Sequence, residues 1–162
     1  MKILVSVIAI CGLAAVACYP SIAGAQADDQ KLDAAKLKTM ISNLGYEPKD
    51  LNTEAGKEKY EVPVTKGGFN IPIGAEISPS KNYIWLTIST GLKEEDEAFK
   101  TKAGNLLKNN GRIQPSFFYV TSKGFVMLAY PMENHHVTPA WLKKCIEKVS
   151  DDLVSTKDDW SK

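Results

Sequence analysis

The sequence predicts an α+β fold: a five-stranded antiparallel sheet with three helices, in the order α-βββ-α-ββ-α. Three observations carry this expectation. Alternating apolar runs at Tyr60 to Val64, Phe69 to Ile77 and Tyr83 to Ser89 follow one another with only short turns between them, as in an antiparallel meander. Apolar residues recur at helical spacing in Asp29 to Leu44, in Glu94 to Asn109 and after Thr138-Pro139. No connection requires a parallel crossover, so helices packed on an antiparallel sheet satisfy the whole order.

The chain of 162 residues has the length of one domain with an appendage. The appendage is N-terminal. Met1-Lys2 gives a basic start and Ile3 to Ala17 an apolar run. That run falls short of the about 20 residues a spanning helix needs. Tyr19-Pro20-Ser21 interrupts it, and Ala25-Gln26-Ala27 presents small residues where a signal peptidase reads. Residues 1–27 are therefore expected to be an export signal, residues 28–155 the α+β domain and residues 156–162 a charged tail. Two alternatives stay open. Ala15-Val16-Ala17-Cys18 resembles a lipoprotein signal with Ala15 at the usual Leu position, and a lipid on Cys18 would tether the protein. An uncleaved anchor is disfavoured by the short run and by Pro20. Loss of residues 1–27 leaves no further membrane span and only Cys145 of the three cysteines, so the fold relies on its core and not on a disulfide.

Each element has its own reason. In the first helix Leu32, Leu37, Met40, Ile41 and Leu44 form an apolar stripe that Gly45 ends. Residues 46–57 read as a polar connection. Lys66-Gly67-Gly68 and Pro79 to Asn82 are the turns of the meander, and Pro72 marks an edge or a bulge because it cannot donate to a ladder. In the second helix Phe99, Ala103, Leu106 and Leu107 share a face, and Glu94, Glu95, Asp96 and Glu97 crowd the positive end of the helix dipole. Ser116 to Ser122 and Phe125 to Tyr130 are strands joined by a tight two-residue turn at Lys123-Gly124. Thr138 caps the last helix and Pro139 occupies its first position, with Leu142, Cys145, Ile146, Val149 and Leu153 buried. The tail from Thr156 is expected to fray, apart from Trp160.

Residues that carry chemistry are few, and no catalytic, metal or cofactor site is assigned. His135-His136 with Glu133 is the one histidine group, and adjacent histidines are expected to point apart. Cys145 lies on an apolar helical stripe, where a thiol acts as a small hydrophobe and not as a nucleophile. Lys66-Gly67-Gly68 lacks the rest of a phosphate loop, and neither a dinucleotide fingerprint nor a nucleophile elbow is present. A net charge of +1 with one arginine, Arg112, argues against nucleic acid as partner.

Strand parity is more informative. Ile84, Leu86 and Ile88 fall on one face of their strand, and Tyr83, Trp85 and Thr87 on the other. In the hairpin Phe117 and Tyr119 alternate with Phe118 and Val120, and Val126 and Leu128 with Phe125 and Met127. A sheet covered on one side only should have a polar second face, yet here both parities carry aromatics or Met. A helix covers part of the second face, the strands are central, or a partner covers it. The last reading makes Tyr83, Trp85, Tyr119 and Met127 partner-binding candidates.

Several stretches resemble a known family. The run from Leu107 through Asn110-Gly111-Arg112 and Pro115-Ser116 to Phe117-Phe118-Tyr119 resembles the link between second helix and hairpin in YbjN-like proteins, which share the fold of type III secretion chaperones. Val137-Thr138-Pro139-Ala140-Trp141-Leu142 resembles the opening of that family's last helix, and Asn43-Leu44-Gly45-Tyr46 the end of its first. The resemblance runs from Asp29 to Leu153. It implies a non-enzymatic domain, often a homodimer, that binds another polypeptide; an export signal departs from the cytoplasmic place of such chaperones. The sequence thus leads to an exported protein-binding module without cofactor. The alternative is a small exported metal binder or enzyme using Glu133, His135 and His136.

Overall fold

The computed structural model describes residues 31–161, so the expected signal peptide and Cys18 lie outside the described residues. The described chain is α+β and its sheet is antiparallel throughout. It has six strands and four helices, not the expected five and three: α1 (Ala34–Asn43), β1 (Lys49–Asn52), β2 (Lys59–Lys66), β3 (Phe69–Ile77), β4 (Tyr83–Lys93), α2 (Glu97–Asn110), β5 (Phe117–Val120), β6 (Phe125–Glu133), α3 (Pro139–Ser155) and α4 (Lys157–Trp160). The strands lie in the order β1-β2-β3-β4-β6-β5.

The extra strand is β1, within the expected polar connection. It pairs with β2 through Lys49↔Glu61 and Asp50↔Tyr60, and Lys38 of α1 holds Asp50 at 2.7 Å. Its residues show no alternation of burial, and Leu51 is 54% exposed. Pairing and charge hold this edge, not burial, so the apolar pattern carried no sign of it. The extra helix is the tail. Trp160 is buried, its ring 5.6 Å from Phe69 and its indole N–H donating to Leu153 O at 2.7 Å. The Asn105 and Asn109 amides donate to the Asp159 carboxylate at 3.0 and 2.8 Å. A single turn of charged residues is thus fixed by one aromatic ring and partners far away in sequence.

Smaller departures have local causes. The first helix starts at Ala34 because Asp33 caps it, its carboxylate accepting from Lys36 N–H at 2.7 Å. The second starts at Glu97, with Asp96 at the N-cap position, so Glu94 and Glu95 precede the helix. The β5–β6 link is longer than two residues: Thr121 N–H donates to Phe125 O, Gly124 N–H donates to Thr121 O, and Gly124 takes φ +78°. Pro72 is opposite Pro63 in the β2–β3 register, and β4 pairs with β3 only along Gly74 to Ile77. Pro72 therefore sits where the flank of β3 is open and no ladder bond is lost.

Among the described residues the helices pack on one face of the sheet. Val62, Ile71, Ile73, Ala75, Ile84, Leu86, Ile88, Val126, Leu128 and Tyr130 point inward, and Leu37, Ile41, Leu106, Leu142, Ile146, Val149 and Leu153 of the helices meet them in one core cluster. Two polar latches fasten the periphery. The Asn134 side chain is fully buried; it accepts from Leu32 N–H at 2.9 Å and donates to Leu32 O at 2.9 Å and Lys81 O at 3.0 Å. It ties the start of α1 to the β3–β4 turn. Asp152 of α3, 6% exposed, accepts from Ser116 Oγ at 2.6 Å and pairs with Lys148, which also donates to Ile113 O at 3.0 Å. This second latch positions the approach to β5.

Replacing Asn134 by Ala leaves two part-buried backbone groups of Leu32 and one of Lys81 without their partner. The expected loss of stability is about 2–3 kcal/mol, read from urea unfolding midpoints.

Candidate functional site

Among the described residues the helices lie on one side, and strands and loops alone form the sheet's second face. Its side chains follow from parity and register. Lys59, Glu61 and Thr65 of β2, Gly74 and Glu76 of β3, Tyr83, Trp85, Thr87 and Ser89 of β4, Met127, Ala129 and Pro131 of β6, and Phe117 and Tyr119 of β5 all project there. Along one cross-strand row stand Gly74, Thr87, Ala129 and Phe117. The first three are small and buried, so the row forms a low floor. Larger side chains rise around it and enclose an open groove of about 660 Å³.

One wall is aromatic. The Trp85 and Phe117 rings stand edge to face at 6.2 Å and 84°, and Phe117 and Tyr119 are tilted by 52° at 5.9 Å. Each of the three is half-buried. Their mutual contacts hold them in place while leaving area to solvent. The opposite wall comes from the β1–β2 connection, Asn52 and Gly56 to Lys59, with Ile77 to Pro79 closing one end. Between them Lys59 pairs with Glu76 at 3.1 Å. Gly74 makes room for that pair, since a Cβ there would come within 2.7 Å of Lys59 Cε and 2.9 Å of Thr87 Oγ1. The Tyr119 hydroxyl ionises above its usual range, chiefly because it is desolvated and secondly because of the Glu76 charge, so it is a neutral hydrogen-bonding group at physiological pH. The groove is thus greasy at its aromatic wall, polar on the other side and internally neutralised.

The four partner-binding candidates all lie on this face. Trp85 and Tyr119 line the groove together, and Met127 stands in register with Tyr119 just outside it. Tyr83, 44% exposed, faces Glu133 across β4 and β6 and does not line the groove. Sequence reasoning left Phe117 out of the candidates although it shares the parity of Tyr119. It had no signal for Lys59 and Glu76, whose meeting depends on the β2–β3 register.

The residues weighed for chemistry are placed elsewhere. His135 and His136 are exposed in the turn after β6, next to the buried Asn134. They do not point apart: His136 takes φ +51°, and the rings meet edge to face at 4.4 Å. Among the described residues no three His, Cys, Asp or Glu side chains are grouped to hold a metal ion. Cys145 is fully buried on α3, and its thiol shares a hydrogen bond with the Tyr130 hydroxyl. Burial pushes the thiol up more than Tyr130 and Lys144 pull it down, so it stays protonated and poorly nucleophilic. Burial likewise pushes the Tyr130 hydroxyl up, and its hydrogen bond to Cys145 adds to that. Among the described residues no helix is long and apolar enough to cross a membrane.

No protein-family model matches the chain, and no curated protein matches it. The resemblance to secretion chaperones stands on its motif residues alone.

The buried Tyr130–Cys145 pair sets an alkaline limit. In the unfolded chain the thiol ionises near its ordinary value of 9.0 and the phenol near 10.0, while both ionise higher in the fold. Their contribution is present below those values and is lost as pH rises through them. Urea unfolding should give a level midpoint up to about the ordinary thiol value and a falling one above it. Tyr130→Phe should blunt the fall, and Cys145 should resist thiol reagents at neutral pH until urea unfolds the protein.

Proposed function

We propose that this protein is an exported, non-enzymatic binding module that holds an apolar segment of another polypeptide against the open face of its sheet. The observation that carries the reading is the half-buried Trp85–Phe117–Tyr119 wall over a floor of small residues, on the face opposite the described helices. Rigid aromatic side chains bury much area at little conformational cost, and binding energy concentrates in such clusters. Lys59 and Glu76 pair with each other inside the groove and leave no cluster of cations there, which suits an apolar or weakly polar segment better than a nucleic-acid backbone.

Export follows from the reading of residues 1–27 as a signal, and a chaperone-like role from the motif resemblance. Tyr83 and Met127 would extend the contact beyond the groove along β4 and β6. At the Glu133, His135 and His136 turn the two rings are exposed, and among the described residues no three His, Cys, Asp or Glu side chains are grouped to hold a metal ion.

The test uses a permanently unfolded probe, reduced and alkylated α-lactalbumin, with binding followed by fluorescence anisotropy. The unaltered protein is expected to bind it. Trp85→Ala, Phe117→Ala and Tyr119→Ala should each weaken binding about tenfold or more with little change in melting temperature, and Tyr83→Ala should act more weakly. Absence of binding by the unaltered protein, or variants that unfold the domain, would overturn the reading; the latter result would assign the rings to the core.

A further inference from the structure

The groove on the open face continues into a second depression of about 370 Å³, and the two share Gly56, Glu58, Ile77, Ser78 and Pro79. Lys31 and Leu32 line that depression, and the chain is fixed there. Lys31 Nζ donates to Asn82 Oδ1 at 2.7 Å, and the Asn134 amide holds both backbone groups of Leu32 at 2.9 Å. Whatever precedes Lys31 in the sequence is therefore joined to the domain beside the groove.

What precedes it matches the groove in chemistry. Residues 3–27 contain no Asp, Glu, Lys or Arg, and Ile3 to Ala17 carries eight Ile, Leu or Val side chains. The groove offers ring area at its aromatic wall, and its Lys59–Glu76 pair is closed on itself. The depression between them has mixed charge: Lys31 and Lys81 stand with Asp33, which caps α1, and Glu58, which accepts from Gly56 N–H at 2.9 Å. Asp28-Asp29 thus meet no uniform charge of either sign on the way.

Reach and concentration favour this occupant over any other. Cys18 to Gln30 are 13 residues, enough to span about 45 Å when extended. A segment tethered so closely is present at an effective concentration on the order of millimolar, far above a partner in dilute solution. We propose that, in the chain still carrying residues 1–27, the apolar run Ile3 to Ala17 occupies the groove of its own molecule, and that cleavage after Ala27 frees the groove for other polypeptides. The inference rests on the reading of the groove as a polypeptide-holding site, and it makes the opening of that site a consequence of export. After cleavage only Asp28 to Gln30 precede Lys31, a stretch too short and too polar to refill it.

Cys11 lies within the run and serves as the probe position. With Cys18→Ser in place and Cys145 buried, a nitroxide reagent labels Cys11 alone. In the full-length chain the label should broaden the NMR amide signals of Gly74, Trp85 and Thr87 most strongly, and reducing the nitroxide should restore them. The full-length chain should bind reduced and alkylated α-lactalbumin at least about tenfold more weakly than the chain processed after Ala27. Ile8→Asp combined with Leu13→Asp in the full-length chain should recover the tighter binding. Absence of broadening overturns the proposal, as does broadening centred on Phe99, Ala103 and Leu106 at the α2–β5 notch. Broadening seen only between a labelled and an unlabelled copy overturns it too, and assigns the groove to a second chain. Full-length binding as tight as that of the processed chain, with no broadening at the groove, removes this inference alone. Broadening at the groove with no α-lactalbumin bound by either form keeps the run in its place and overturns instead the reading that the groove serves other polypeptides.

Discussion

One-sided burial organises this molecule. The inward parities of β2, β3, β4 and β6 are filled with Ile, Leu, Val and Tyr, and the packed helices bring their stripes to that face. A six-stranded sheet covered once must solve two problems. It has to secure elements that contribute little apolar area, and it has to make its bare face tolerable in water.

The first problem is met by directed polar groups. Asn134 holds the backbone of Leu32 as a neighbouring strand would, and it fixes the β3–β4 turn as well. Asp152 is nearly buried but has both a hydroxyl and an ammonium partner, so its charge is compensated. Asp159 does the same at the surface for α4 by taking two asparagine amides. None of these contacts substitutes for the core. Each selects one arrangement of a segment that hydrophobic burial alone would leave loosely specified.

The second problem has a chemically mixed solution. Near β1 and β2 the bare face is charged and paired, and near β5 it is aromatic. Gly74, Thr87 and Ala129 keep the middle low, so the aromatic wall presents ring area over a depression instead of a flat patch. Tyr119 also lines a small apolar notch between α2 and β5, with Phe99, Leu106 and Val120. The β5 edge is protected from strand addition by Asn110, so the surface can offer side chains to partners without offering an unpaired ladder.

Periodicity in the sequence sufficed for the antiparallel meander, the hairpin strands, the buried stripe of α3 and the parity that puts Trp85 and Tyr119 on one face, because local side-chain alternation and capping chemistry dictate them. It was silent on β1 and α4, whose residues are polar and are held by pairing with β2 and by the burial of a single tryptophan. It could not show which face the helices take, nor that Phe117, Lys59 and Glu76 join Trp85 at one groove, nor that His136 turns its ring toward His135. Those facts depend on strand order, register and a positive φ. They arise only when segments distant in the chain are brought together, since each has several locally acceptable neighbours and packing selects among them.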